Sequence, residues 1–420
     1  MFKNILWVTR ACALSATLAF AGPKPEKKDA ADLSRLVVMG DSLSAGVQNF
    51  SLLYSTQPNG YASLIAAQAK TPLPLPLVPY PGAPNVLQLT SLKPLVIQPA
   101  PGTLPSPPRL NPFQEAFNIS VPGITVEQSL TMRPTRDPNA PAVQQWATIV
   151  LGFPSLYLDL APTQTETAFA LFPTTVIEWL GNNDALVPAL IGQLSGLTPI
   201  DQFQTSYRRV LDVISFTGAT VITANIPDVT EVPYFTSVSS IAQQSGACGS
   251  VVMPACVDQI AKTLGIGSGD YVRLSGLTLV DEILSGTVKG PLPSSCPSPL
   301  AALTTSPIAC VLTAADAVTI RAAIAAYNGV IANESTSHGA LMIDVHSLVD
   351  QIAADGYTVN GKMLNTNFLG GLFSLDGIHP TNTGYAIIAN YFISAMDSNL
   401  GTHIPQVDVA AIAAKDPLIF

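Results

Sequence analysis

Apolar residues along this chain fall into short solid runs, separated by longer stretches in which they recur every three or four positions. Leu36–Met39, Thr175–Leu180, Ala219–Ala224 and Ala340–Val345 are dominated by aliphatic and β-branched residues, the pattern of strands buried on both faces. Between them, a segment opening at Asp201 sets Phe203, Tyr207, Val210, Leu211 and Ile214 on one face of a helix, and Gly218 predicts its end just before the next strand. Thr313 and Asp316 make a capping-box pattern ahead of Val318, Ile324, Tyr327 and Ile331, predicting a second amphipathic helix. Strands alternating with helices predict a parallel α/β sheet, with any ligand at the carboxyl ends of its strands.

Two stretches break the alternation. Residues 71–113 carry 13 of the chain's 36 prolines and only two charges, Lys93 and Arg109. That composition excludes regular helix and predicts an extended loop or cover lying on the body. Residues 235–312 contain Cys248, Cys256, Cys296 and Cys310 together with Gly265, Gly267 and Gly269. No strand precedes those glycines and no lysine follows them, so they are not a phosphate loop. This part reads as a stapled insertion and a candidate lid.

Composition narrows the class of protein. With 420 residues, 48% hydrophobic and 11% charged, the chain can bury a large core. The low charge and a pI near 4.8 argue against a nucleic-acid binder, which would need a basic face. Residues 1–21 read as a secretory signal: Lys3 and Arg10, an apolar run from Ala11 to Phe20, then Ala19-Phe20-Ala21. The run is too short to span a bilayer, and no later stretch reads as a transmembrane helix. Cleavage after Ala21 would change the net charge from −9 to −11 and deliver a secreted or periplasmic protein.

Cleavage would also remove Cys12. The remaining four cysteines, an even number in an exported chain, predict two disulfides. Pairing Cys248 with Cys256 and Cys296 with Cys310 closes the shortest loops, although three connectivities are open. Their spacings, with no histidine nearby, do not suit zinc.

Candidate chemistry lies in four fragments. Gly40-Asp41-Ser42-Leu43-Ser44 follows the first strand, where a tight turn would lift the Ser42 hydroxyl off the sheet edge to the positive end of a helix. Asn118-Ile119-Ser120-Val121-Pro122-Gly123 reads as a short strand ending in a glycine turn. Gly181-Asn182-Asn183-Asp184 follows the second long strand. Asp376-Gly377-Ile378-His379-Pro380-Thr381 opens a helix running to about Ala395, with Pro380 suited to its first turn. Asp376 can accept the Nδ1 proton of His379, leaving Nε2 free to take a proton from a serine. Backbone N–H groups at Ser42 and Gly123, with the Asn183 amide, are candidate donors to a developing oxyanion. Asp41 and Asp184 suit capping roles. His346 reads as packing on a strand, and His338 and His403 as loop residues. Asn49, Asn118 and Asn333 each begin a glycosylation pattern of a kind that arises often by chance.

In order and content these four blocks resemble those of the SGNH (GDSL-type) serine hydrolases, over roughly residues 32–400. The resemblance implies a flavodoxin-like three-layer α/β/α sandwich with a parallel sheet, here preceded by a linker at 22–31 and followed by a tail at 401–420. It implies Ser42 as nucleophile, His379 as base, Asp376 as its orienter, and Ser42, Gly123 and Asn183 as oxyanion donors. It implies no metal and no organic cofactor, and a small-molecule or lipid ester as substrate. Apolar content and the proline-rich segment lean towards acyl chains. A carbohydrate O-deacetylase or acyltransferase using the same residues is the alternative within the class. A surface-binding protein that kept the fold without activity is the alternative outside it.

Overall fold

The computed structural model describes residues 30–92, 95–154, 161–249, 252–296 and 308–419. The signal segment expected at 1–21 and most of the linker lie outside those residues, as does Lys93. Four parallel strands form the central sheet: Leu36–Gly40 pairs with Thr175–Trp179, which pairs with Thr220–Ala224, which pairs with Leu341–Ile343. Along the outer side of the first strand, residues 117–121 run parallel to it, through Ile119 N–H to Val38 O at 2.9 Å and Val121 N–H to Gly40 O at 3.0 Å. The ends predicted to carry chemistry therefore emerge on one edge of the sheet.

Alternate side chains of each strand enter different cores. Val37, Met39, Val176 and Val221 pack with the helices Ile200–Ser215 and Ala314–Ser337. Leu36, Val38, Ile177, Trp179 and Ile222 pack with Tyr61–Ala69 and Asn382–Leu400 on the opposite face. Both faces being covered explains why the strands read as continuous apolar runs. On Ile200–Ser215 all five predicted stripe residues are buried, and Gly218 takes φ +77° at the turn into the next strand.

Three expectations change. Val318 points to solvent, and Ala317 and Ile320 take its place in the stripe with Ile324, Tyr327 and Ile331; six residues separate Val318 from Ile324, which puts them on different helix faces. The run predicted as strand to Val345 stops at Ile343, because Asp344 caps a new helix, Val345–Asp355, by accepting the Ser347 N–H at 3.1 Å. His346 accordingly sits on a helix and not on a strand. The proline-rich segment is extended as expected, but Leu87–Leu92 and Leu95–Pro99 within it pair as an antiparallel hairpin.

Residues 235–312 build a small core of their own around Val238, Ile260, Leu264, Val272 and Ile283. Cys248 is bonded to Cys256 and Cys296 to Cys310, the local pairing. The last residues do not trail away: Val409–Ala413 is helical, and Asp416 Oδ2 accepts both the N–H and the hydroxyl of Thr383 at 2.8 Å. Among the described residues no helix is long and apolar enough to cross a membrane.

Candidate active site

The first strand ends at Gly40, whose Cα has no room for a side chain, since a Cβ there would stand 2.7 Å from the Trp179 carbonyl. Asp41 then caps a helix only four residues long, Ser42–Ala45, by accepting the Leu43 N–H at 3.0 Å. So short a helix contributes little dipole. What it offers Ser42 is position, and an N–H at the first helical position, where no intrahelical acceptor exists. The second carboxylate oxygen of Asp41 accepts from Asn182 Nδ2 at 2.9 Å, tying the first strand end to the second. Asp41 is fully buried, and burial pushes its carboxyl up to about 6 against the pull of Asn182, Leu43 and His379.

Gly123 takes φ +76°, the left-handed region that favours glycine, and the Trp146 ring stands 3.2 Å from where its Cβ would lie, which leaves little space for a side chain. Its N–H has no acceptor among the described residues. Asn183 lies in the first turn of Asn182–Ile191, and its Nδ2 donates to Ile124 O at 3.0 Å, which leaves one amide hydrogen for other work. Asp184 acts as a cap, accepting from Val126 N–H at 3.1 Å and Thr198 Oγ1 at 2.7 Å; burial raises it to about 6.

At the other terminus Asp376 and His379 meet as the Asp-x-x-His spacing predicts, with His379 Nδ1 2.8 Å from Asp376 Oδ2. Asp376 also accepts from the N–H groups of His379 and Ile378 at 2.8 Å and of Phe50 at 2.5 Å. Burial would raise this carboxyl, but the His379 charge and these hydrogen bonds outweigh it and hold it below the usual aspartate range. Pro380 is not in the helix. Thr381 is the cap of Asn382–Leu400, accepting the Gly384 N–H at 3.1 Å, and Pro380 stands just ahead of it.

Ser42, Gly123, Asn183 and His379 line one cavity, otherwise walled by Phe50, Leu52, Ala83, Trp146, Val187 and Leu190 among others. Ser42 and Asn183 also open onto a second space, walled by Trp179, Val232, Val345, Val349, Phe373 and Ile388 among others. No hydrogen bond joins Ser42 Oγ to His379 Nε2 among the described residues. Ala83 belongs to the proline-rich segment, so that segment does wall the site. No described residue of 235–312 lines either space, which leaves the candidate lid without a contact to the site.

Several contributors were not legible beforehand. Asn49 and Phe50, both at positive φ, bond to the Asp376 loop: Asn49 Oδ1 accepts the Leu375 N–H and its own N–H reaches Ser374 Oγ, each at 2.9 Å. Gln164 Nε2 joins Gly40 O at 2.7 Å to Ile119 O at 3.0 Å. Trp146 Nε1 donates to Ala83 O at 3.2 Å. The Asn-x-Ser string at 49 had flagged Asn49 for a different reason, whereas Gln164 and Trp146 carry no sequence signal. The Asn118 amide is buried and spent on Ser44 O at 2.8 Å, so it is no site for a glycan, while Asn333 is exposed on its helix. His346 Nδ1 lies 2.9 Å from Ile226 O, and His338 ends its helix with Nε2 3.0 Å from Asp212. Among the described residues no group of three or more His, Cys, Asp or Glu is placed to hold a metal ion.

No family model and no curated protein matches this chain. Among solved structures it is similar to LAE5, an alpha/beta hydrolase enzyme from the metagenome of Lake Arreo, Spain, at 14% identity over 86% of this chain and 94% of that one. The TM-score is 0.37, a likeness too distant to bear on the chemistry.

Proposed function

We propose that the protein is an exported serine hydrolase of the SGNH type, a flavodoxin-like α/β/α sandwich that cleaves carboxylic esters through an acyl-enzyme on Ser42. The observation that carries this reading is the buried Asp376–His379 pair, 2.8 Å apart, on the wall of a cavity that also exposes Ser42. In the reaction, His379 Nε2 takes the Ser42 proton as Oγ attacks the ester carbonyl, while Asp376 holds the Nδ1–H tautomer. The N–H groups of Ser42 and Gly123 and the remaining Asn183 amide hydrogen receive the oxyanion. Collapse expels the alcohol, protonated by His379, and a water activated the same way releases the acid. The serine and the imidazole would close to hydrogen-bond distance when substrate binds, as catalytic contacts commonly do. The disulfides Cys248–Cys256 and Cys296–Cys310 support an oxidising compartment.

The test is labelling with a fluorophosphonate probe alongside hydrolysis of p-nitrophenyl esters. Ser42→Ala should lose both in protein whose circular dichroism is unchanged. Retained turnover would defeat the assignment.

A further inference from the structure

Resting on that ester-hydrolase reading, we propose that the substrates are esters apolar on both sides of the carbonyl. The acyl chain would enter the lobe walled by Val349 and the alcohol the lobe walled by Val187. The two spaces share only Ser42, Asn183, Leu186 and Ile378. Beyond that junction their walls are mostly drawn from different cores, although Val229 and Val232 bring the first core into the wall of the second lobe. Phe50, Leu52 and Trp146 belong to the core on one face of the sheet, and Trp179, Val345 and Ile388 to the core on the other. The lobes therefore straddle the carboxyl edge of the sheet, with the serine between them.

Both lobes are lined mainly by apolar side chains, and neither carries a set of polar groups suited to a sugar. In the first, the polar side chains are Ser42, Asn183 and His379, and the Trp146 N–H is spent on Ala83. In the second, besides Ser42 and Asn183, Asp41 is bonded to Asn182 Nδ2 and the Trp179 N–H is spent on Asn225 O, which leaves Asn182 Oδ1 as a buried acceptor without a partner. The several hydroxyls of a buried sugar would outnumber the polar groups left there, and each one left unpaired is costly.

The sides follow from the proton. As the Ser42 Oγ–carbonyl bond forms, the serine proton moves to His379 Nε2. As the carbonyl–alkoxy bond breaks, that same proton must reach the leaving oxygen, and no electrons are exchanged with any other species. The leaving oxygen has to face His379, which lines the first lobe and not the second. The alcohol portion then extends towards Val187 and the acyl chain towards Val349.

The experiment measures acid release by the full chain from a matrix of soluble esters, lengthening the acyl chain from acetyl to octanoyl and the alcohol from methyl to octyl independently. Expected is a rise in kcat/KM along both axes of about fourfold per methylene until a lobe is full. Val349→Phe should flatten the acyl axis by about tenfold or more and spare the alcohol axis, and Val187→Phe should do the reverse. Both valines are half-buried at a cavity wall, and the wild-type matrix is decisive even if a variant fails to fold. Hydrolysis confined to acetyl esters, a flat axis, both variants flattening the same axis, or crossed effects would overturn the proposal while leaving the esterase reading intact. No acid release from any ester, with no fluorophosphonate label on Ser42, would overturn both.

Discussion

Asp376 accepts four hydrogen bonds within a buried corner, and three of their donors are backbone N–H groups that have no other acceptor. Asp376→Ala should cost about 3 kcal/mol or more in chemical denaturation and lower ester turnover on the order of 10⁴-fold. Because its pKa is depressed on folding, this carboxyl adds stability above the pKa of an unfolded aspartate and loses it as acid titrates the folded form, below about pH 4. Glu178 has the opposite sign. Buried in the second strand, with Tyr207 Oη 2.8 Å from Oε2, it is pushed up to about 8, chiefly by desolvation. Its neutral form favours the folded state, and that contribution fades as pH rises from the unfolded glutamate value towards 8. Glu178→Gln should therefore flatten the stability profile, gaining on the wild type between pH 5 and pH 9 at up to about 1.4 kcal/mol per pH unit. Urea midpoints at the two pH values would check it.

Between the first strand and the loop of Asp376, the segment Val47–Phe50 acts as a latch. Tyr385 donates to Val47 O, Gln48 to Asn382, and Asn49 and Phe50 engage Ser374, Leu375 and Asp376. Asn49 adopts φ 49°, where asparagine is better tolerated than alanine. Asn49→Ala should lower kcat more than it raises KM and cost about 1–3 kcal/mol in denaturation. Asn49→Gly, relieved of the backbone strain but still lacking the hydrogen bond, should recover part of the stability and less of the rate. Local elements were the legible part of this chain, because burial on both faces writes an unbroken apolar run and a caps-and-stripe helix writes its own period. The latch was not, since it joins partners more than three hundred positions apart and uses backbone groups that every residue possesses. Val318 misled for a simpler reason: an apolar residue in a helix marks a face only when its phase agrees with its neighbours. The hairpin at 87–99 was hidden because proline content excludes helix without excluding edge strands.

On the scale of the molecule, residues 235–312 hold a small core of their own and yet are anchored, with Phe235, Leu274 and Leu312 packed into the main core. Arg273, almost fully buried, donates to Ala309 O and Val311 O within the insertion and to Ala189 O on the helix that carries Asn183. Neither disulfide of the insertion lines either lobe. Replacing Cys248 and Cys256 by serine should lower stability by about 2–3 kcal/mol through a looser unfolded chain, with kcat/KM on a short ester unchanged within about twofold. Thermal melts and a single esterase assay distinguish this from a lid, whose loosening would move the rate.

The two-lobed cleft bears on what finishes the reaction. If the proposed acyl-enzyme forms on Ser42 and the first product leaves, the vacated compartment is oily, and a fatty alcohol should settle there more readily than water does. The enzyme should then trade one alkyl group for another: hexanol added to an octanoyl ester should appear as hexyl octanoate, at the expense of free acid. In a medium poor in water, the same preference would run the chemistry towards synthesis.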